Sequence, residues 1–189
     1  MLELVNNWEV FGFDNSVRAS KYPKSTNVED CTSEITKTTR KLAGCKTGTG
    51  HDCFLKGIIV QFDLTFTIKA WVEAERYHWF DFVSSQSTMH MISKFDIGQR
   101  CISYVKQQTI DLCEELKETY NADPTPENYL TLLYNVPVGF RLTARMTTSY
   151  LQLKTIYQQR DHHRIPEWPE FCRWIETLPE SGFITGKDG

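Results

Sequence analysis

The chain has 189 residues, 40% of them apolar and 13% aromatic, and its 21 Lys and Arg against 24 Asp and Glu give a formal net charge of −3. That balance argues against the basic face a nucleic-acid polymer needs, and no apolar run approaches the roughly 20 residues of a membrane-spanning helix. The length suits one domain with a sizeable core, and with no signal peptide legible at its start the expectation is a soluble, cytoplasmic protein.

Residues 1–12, MLELVNNWEVFG, read as a strand or a short docking segment. SVRASKYPKS follows at 16–25, with a proline near its end. Residues 26–44 read as a helix capped by Thr26 or Asn27 and stopped by Gly44. CKTGTGHD, at 45–52, is a glycine-containing loop, and its TGTG lacks the Lys-Ser/Thr ending of a phosphate loop. GIIVQFDLTFTIKAW, at 57–71, is the clearest strand. Ile58, Val60, Phe62, Leu64, Phe66, Ile68 and Ala70 alternate with Ile59, Gln61, Asp63, Thr65, Thr67 and Lys69. One face therefore covers a core, and the other is offered to solvent, a subunit or a ligand.

Residues 72–83 read as the start of a helix, and 96–120 as a long one with Ile102, Val105, Leu112, Cys113 and Leu116 at helical spacing. Thr109 interrupts that stripe. TPENYLTLLY, at 125–134, opens with a cap and a proline at the first helical position. A further helix is expected over 138–160 and a short final one over 166–179, with 180–189 as a flexible tail. The sum is α+β, a small antiparallel sheet packed with long helices in a single domain. The six cysteines, at 31, 45, 53, 101, 113 and 172, show neither CxxC nor zinc-finger spacing. Reduced, mostly buried thiols are expected.

Several segments carry chemistry only when taken together. In order they are SVRASKYP, then GHDCFLKGIIVQFDLTFTI from Gly50, then the run from Tyr77-His78-Trp79 to Ser87-Thr88-Met89-His90. MTTSYLQLKTIYQQR follows, with Ser149 and Arg160 eleven residues apart. Their order and spacing resemble the flavin-dependent thymidylate synthases over about residues 16–168. The family's signature is R-H-R-x-x-S-x-N-E-x-S-x-R-Y, and of it only His78 and Ser87 are kept. The flanking arginines are Tyr77 and Trp79, with Arg76 one place outside. The first serine is Phe82, the Asn-Glu pair is Ser84-Ser85, and the last arginine is Met89. Leu133, ahead of Val136-Pro137, stands where the family has another arginine.

In that family the arginines hold the dUMP phosphate and the flavin. Each arginine–phosphate contact is worth about 1.5–3 kcal/mol, so losing three or four weakens binding by about a thousandfold or more. Tyrosine and tryptophan do not replace the charge, but they stack on a base and donate one hydrogen bond each.

The resemblance implies a homotetramer with each site built from several subunits, a nucleotide-like ligand, and FAD if the family activity is retained. The candidate ligand-binding set is His51, Tyr77, His78, Trp79, Ser84, Ser85, Gln86, Ser87, Arg141, Arg145, Ser149 and Arg160. His51 either touches flavin or nucleotide or caps a turn. Ser84 to Ser87 with Gln86 supply neutral hydrogen-bonding groups. Arg141 and Arg145, four apart on the expected helix, either bind an anion across a subunit boundary or form a solvated basic face. Adjacent His162 and His163 point in different directions on a helix, so no metal site is expected. No nucleophile elbow, HExxH or paired-carboxylate signature is present, no residue is assigned to catalysis, and the acids Asp63, Glu73, Glu75 and Asp81 have no assigned role.

Three functions are consistent with this reading. The first is a binding protein that has kept the scaffold, lost thymidylate synthesis, and holds a nucleotide or a nucleotide-derived molecule. A phage-encoded sponge for a nucleotide signal, acting in the host cytoplasm, would be one such protein. The second is a divergent flavin-dependent transferase acting at C5 of a pyrimidine nucleotide. The third is a surface-acting protein whose pocket is filled by Trp79, Phe80 and Phe82.

Overall fold

A computed structural model describes residues 3–187. Its elements run β1 (Val5–Phe11), α1 (Phe13–Ala19), α2 (Lys37–Ala43), β2 (Ile59–Thr67), α3 (Ile68–Ala74), β3 (Phe80–Ser85), α4 (Thr88–Met91) and α5 (Ile97–Arg100). α6 (Gln107–Ala122), α7 (Pro126–Tyr134), β4 (Arg141–Ser149), α8 (Tyr150–Arg160), α9 (Glu167–Ile175) and α10 (Gly182–Thr185) follow. The four strands form one antiparallel sheet in the order β1-β2-β4-β3.

The alternation of β2 sets its orientation. Val60, Phe62, Leu64 and Phe66 are fully buried beneath the helices, because a period of two sends them all to one side. Gln61, Asp63 and Thr65 face the other way and meet Thr147, Arg145 and Thr143 of β4. The two threonine hydroxyls bond at 2.8 Å. Helix α9 presents Trp168, Phe171, Cys172 and Ile175 inward at i, i+3, i+4 and i+7, and Phe66 and Phe171 pack at 5.9 Å between ring centroids. A second apolar cluster, with Ile92, Phe95, Ile97, Cys113, Leu132 and Phe140, joins α5, α6 and α7.

Local signals place several boundaries. Thr125 caps α7 through the Asn128 amide, with Pro126 in the first turn. The 26–44 helix is corrected to Lys37–Ala43. Asn27 caps only a short 3₁₀ turn over Val28–Asp30, and Thr36 starts the true helix with a reciprocal capping box to Thr39. The residues between, CTSEI, are rich in hydroxyl and β-branched side chains that favour turns over helix. Gly44 ends α2 as expected.

Four further expectations are corrected. The strand at 57–71 stops at Thr67, whose hydroxyl accepts from the Ala70 amide and caps α3, which starts four residues before the expected helix. Residues 80–85 are strand β3, because Phe80, Phe82 and Val83 favour the pleated edge of β4. The long helix at 96–120 is two helices. Between them Ile102 and Val105 fold over Gly139, where an added Cβ would lie 2.5 Å from the Val105 side chain. Residues 141–149 are strand β4, so the expected 138–160 helix begins only at Tyr150, capped by Ser149. Within the expected tail, Gly182–Thr185 form α10. Phe183 and Ile184 are each 1% exposed, and the Phe183 ring stacks on Phe13 at 6.0 Å. Residues 1, 2, 188 and 189 of the expected end segments lie outside the described residues. The cysteines are unpaired, but only Cys113 and Cys172 are buried.

Helix α8 runs through the core although it is polar. Lys154 is 3% exposed, and its ammonium donates to the Asp52 carboxylate at 2.8 Å and to the carbonyls of Ala43 and Cys45 at 2.6 and 2.5 Å. That clasp fastens the 45–52 loop to the helix. Removing one partner of a buried ion pair costs about 3–5 kcal/mol, whereas removing both is often near neutral. Lys154→Met is therefore expected to lower the melting temperature by roughly 10 °C, and adding Asp52→Leu is expected to recover part of that loss, as read by calorimetry.

Candidate functional site

The structure separates the sequence-derived site residues into two groups. One is built into the core. Arg160 is 4% exposed. Its Nε donates to the Tyr77 hydroxyl at 2.7 Å, and its Nη1 donates to Glu73 Oε2 at 3.0 Å and lies 2.7 Å from His163 Nε2. The guanidinium also sits 4.6 Å over the Trp168 ring. Tyr77 is buried and donates to Gln159 Oε1 at 3.1 Å. Tyr77 and Arg160, two of the ligand-binding candidates, are thus engaged inside the protein, because a buried arginine needs a carboxylate beside it. Glu73, unassigned from sequence, supplies that carboxylate.

Arg145 is also occupied. It bonds the Asn7 carbonyl and lies 3.3 Å from Asp63 and 3.8 Å from Glu9. Arg141 and Arg145 do share a face, but of strand β4 rather than of a helix, since i and i+4 coincide at both periods. Gln86 is a clasp between segments: its Oε1 accepts from Arg100 at 2.9 Å and from the Thr143 amide at 3.1 Å. Ser84 and Ser85 are exposed on the edge strand β3, Ser87 precedes α4 half-buried, and His51 and His78 are exposed. His51 neighbours the buried Asp52. His162 is exposed while His163 turns inward to Arg160, so the pair diverges.

The other group faces a cleft of about 460 Å³ at the end of the sheet. Trp79 and Ser149 line it. Its floor is the polar sheet face, where Ile59 pairs with Ser149, and Thr147 lies opposite Asp81. Gln152 and Thr155 of α8 form a wall, and Thr47 and Lys56 come from the segment ahead of β2. Trp79 is 69% exposed, and its carbonyl is pinned by the Thr148 hydroxyl. The pocket is therefore not packed shut. Phe80 is buried, but Phe82 leaves the cleft and packs on Trp71 at 4.9 Å. The hydroxyl run Thr147-Thr148-Ser149 was the one signal in the sequence for this floor. Thr47 and Lys56 lie far from it along the chain and no local pattern marks them, while Gln152 follows three residues after Ser149, whose hydroxyl accepts from its amide.

Two wider clefts exist. One, of about 780 Å³, lies beside Glu73 and His163, and the other, of about 880 Å³, lies between α2 and α10. The smaller cleft is the better candidate, because it joins an exposed aromatic to neutral hydrogen-bonding groups. In the first of the wide clefts Glu73 is already engaged: Oε2 accepts from Arg160 and Trp168 and lies 3.4 Å from His163 Nε2, and Oε1 accepts from Lys69. Burial pushes the Glu73 carboxyl up, but its hydrogen bond and charge contact with Lys69, the His163 charge and the Trp168 indole outweigh that, and the net shift is downward. Burial pushes the Cys172 thiol up to about 12 and that of Cys101 to about 11, which removes both as nucleophiles near neutral pH. Among the described residues no group of three His, Cys, Asp or Glu is placed to hold a metal ion, and no helix is long and apolar enough to cross a membrane.

No family model and no characterised protein sequence matches the chain. Its fold does match solved structures. A crystal structure of flavin-dependent thymidylate synthase from Helicobacter pylori, complexed with FAD and dUMP, superposes with a TM-score of 0.75 at 12% identity. The match covers 97% of this chain and 97% of that one. A second structure of the Helicobacter pylori enzyme with FAD and dUMP gives a TM-score of 0.73 at 11% identity, over 98% and 97% of the two chains. The chain therefore has the flavin-dependent thymidylate synthase fold, as its motif order implied.

Two outcomes follow for the groups just separated. Arg160→Ala is expected to cost about 3 kcal/mol of stability by leaving Glu73 without its main partner, while Trp79→Ala leaves the denaturant midpoint within about 0.5 kcal/mol of wild type. The Glu73 carboxyl, held below its usual 4.5, contributes stability that is present above that value and fades as pH falls through the folded value. The stability gap between wild type and Glu73→Gln should then stay constant above about pH 5 and shrink below it, as read by urea unfolding across pH.

Proposed function

We propose that the protein binds a nucleotide or nucleotide-derived small molecule in the cleft around Trp79, in an oligomer, without thymidylate synthase activity. The carrying observation is the exposed Trp79 indole set over a floor of neutral hydrogen-bonding side chains. An indole face stacks on a base, and hydroxyls and an amide recognise its edges. The scaffold supports the class of ligand, since the Helicobacter pylori enzyme of the same fold is complexed with FAD and dUMP.

The donor set of this chain does not fit those two phosphate-bearing groups. The signature arginine positions hold Tyr77, Trp79 and Met89, and Arg160 and Arg145 are engaged with Glu73 and Asp63. Within the cleft one cation, Lys56, stands with one anion, Asp81. Sequestration of a nucleotide signal is the use that suits such a site. A flavin-dependent transferase acting at C5 of a pyrimidine nucleotide is the competing reading, favoured by the near-complete overlap of the scaffold.

Assembly belongs to the same proposal. The polar face of β2 and β4, together with exposed Trp79, Phe82 and Val83, would be completed by other copies of the chain in a homotetramer. Freshly purified protein is expected to lack flavin bands near ~370 and ~450 nm, to release a nucleotide-type molecule on heating, as read by mass spectrometry, and to scatter light as a tetramer. Bound flavin would move the assignment to the transferase.

A further inference from the structure

The cleft around Trp79 has almost no means of reading a phosphate. Its charged lining is Lys56 and Asp81, of opposite sign. A terminal phosphate carries about −1.5 to −2 charge at pH 7, and strong phosphate sites answer it with arginine forks or several cations. Two arginines of the candidate set are engaged elsewhere. Arg160 is buried against Glu73, Tyr77 and His163. Arg145 is held by Asp63, Glu9 and the Asn7 carbonyl. Neither lines the cleft.

What the cleft does present is neutral. Thr47 lines it, and its hydroxyl, closed off just behind that lining, has no hydrogen-bond partner among the described residues. A buried polar atom left unpaired is unfavourable and awaits a partner. Thr147 and Gln152 line the same space, and the Trp79 backbone beside them is held through its carbonyl by the Thr148 hydroxyl. A flat, uncharged heterocycle with donors and acceptors on its edge matches these groups.

We infer that this cleft recognises the base and sugar of its ligand and is indifferent to a phosphate, so that it takes nucleosides and modified bases as readily as their monophosphates. The inference rests on the nucleotide-type binding proposed above and narrows its ligand class. In the scaffold's affinity for phosphate-bearing ligands, this chain would differ from the Helicobacter pylori enzyme, whose structures carry FAD and dUMP.

The test is isothermal titration of the full-length protein with deoxyuridine, dUMP, adenosine and AMP at low and at moderate salt. The expected result is that at least one nucleoside binds, and that it and its monophosphate bind within about threefold of each other with little salt dependence. Tighter binding of the nucleoside would support the inference as well. Trp79→Ala is expected to weaken both members of that pair by about tenfold or more, and Thr47→Val, which removes one hydroxyl at constant shape, by about three- to tenfold. A monophosphate that binds about tenfold tighter than its nucleoside, and loses that advantage as salt rises or in Lys56→Gln, would overturn the inference while leaving nucleotide binding intact. Binding untouched by both Trp79→Ala and Thr47→Val would overturn it by placing the ligand elsewhere. No binding of any of the four would sink the inference and the nucleotide-type reading together.

Discussion

Two cations buried along α8 set the terms for the rest of the molecule. Lys154 and Arg160 lie in the interior, where a bare charge is strongly disfavoured. Each has drawn a carboxylate to it from far along the chain: Asp52 to Lys154, Glu73 to Arg160. The first pair fastens the 45–52 loop. The second joins α3 to α8, and the Trp168 indole, which donates to the same Glu73 oxygen, adds α9. Moving either cation outward would strand its carboxylate, so the helix and its neighbours are fixed as one body.

That constraint reaches the site. An arginine used to neutralise a core carboxylate is not available to grip a phosphate, and Arg145 is drawn off in the same way by Asp63 across the sheet. The cleft is left with hydroxyls, an amide, one indole and a balanced pair of charges. The scaffold matches that of an enzyme complexed with FAD and dUMP, while the chemistry placed on it differs. A backbone arrangement tolerates many side-chain sets at its clefts, so the fold alone does not carry the function.

How much could be read ahead depended on whether the deciding contact was local. Strand β2 was legible because seven apolar residues alternate without a break, and α7 because Thr125 and Pro126 mark its start. Strand β4 was not. RLTARMTTS holds Ala144 and Met146 at its inward positions, and both are good helix formers, so the period of two was masked. The sheet overrode that local preference by pairing β4 on both sides, with β2 and β3. The tail was misjudged for a similar reason. Its glycines and polar residues suggest fraying, yet Phe183 and Ile184 are enough to anchor it beneath α1 and α8.

The sequence by itself determined the α+β class, the alternation of β2, the cap of α7, the short helix α9 and, through motif order, the scaffold. It also placed Trp79 and Ser149 among the candidates that do share a cleft. Tertiary structure alone decided that Tyr77 and Arg160 belong to the core, that Gln86 is a clasp, and that Thr47 and Lys56 line the same cleft as Trp79. The reason is distance along the chain. Glu73 and Arg160 are 87 residues apart, and Asp52 and Lys154 are 102 apart. An arginine's charge is plain in the sequence, but whether it meets a carboxylate or a ligand is settled only when the fold brings its neighbours to it.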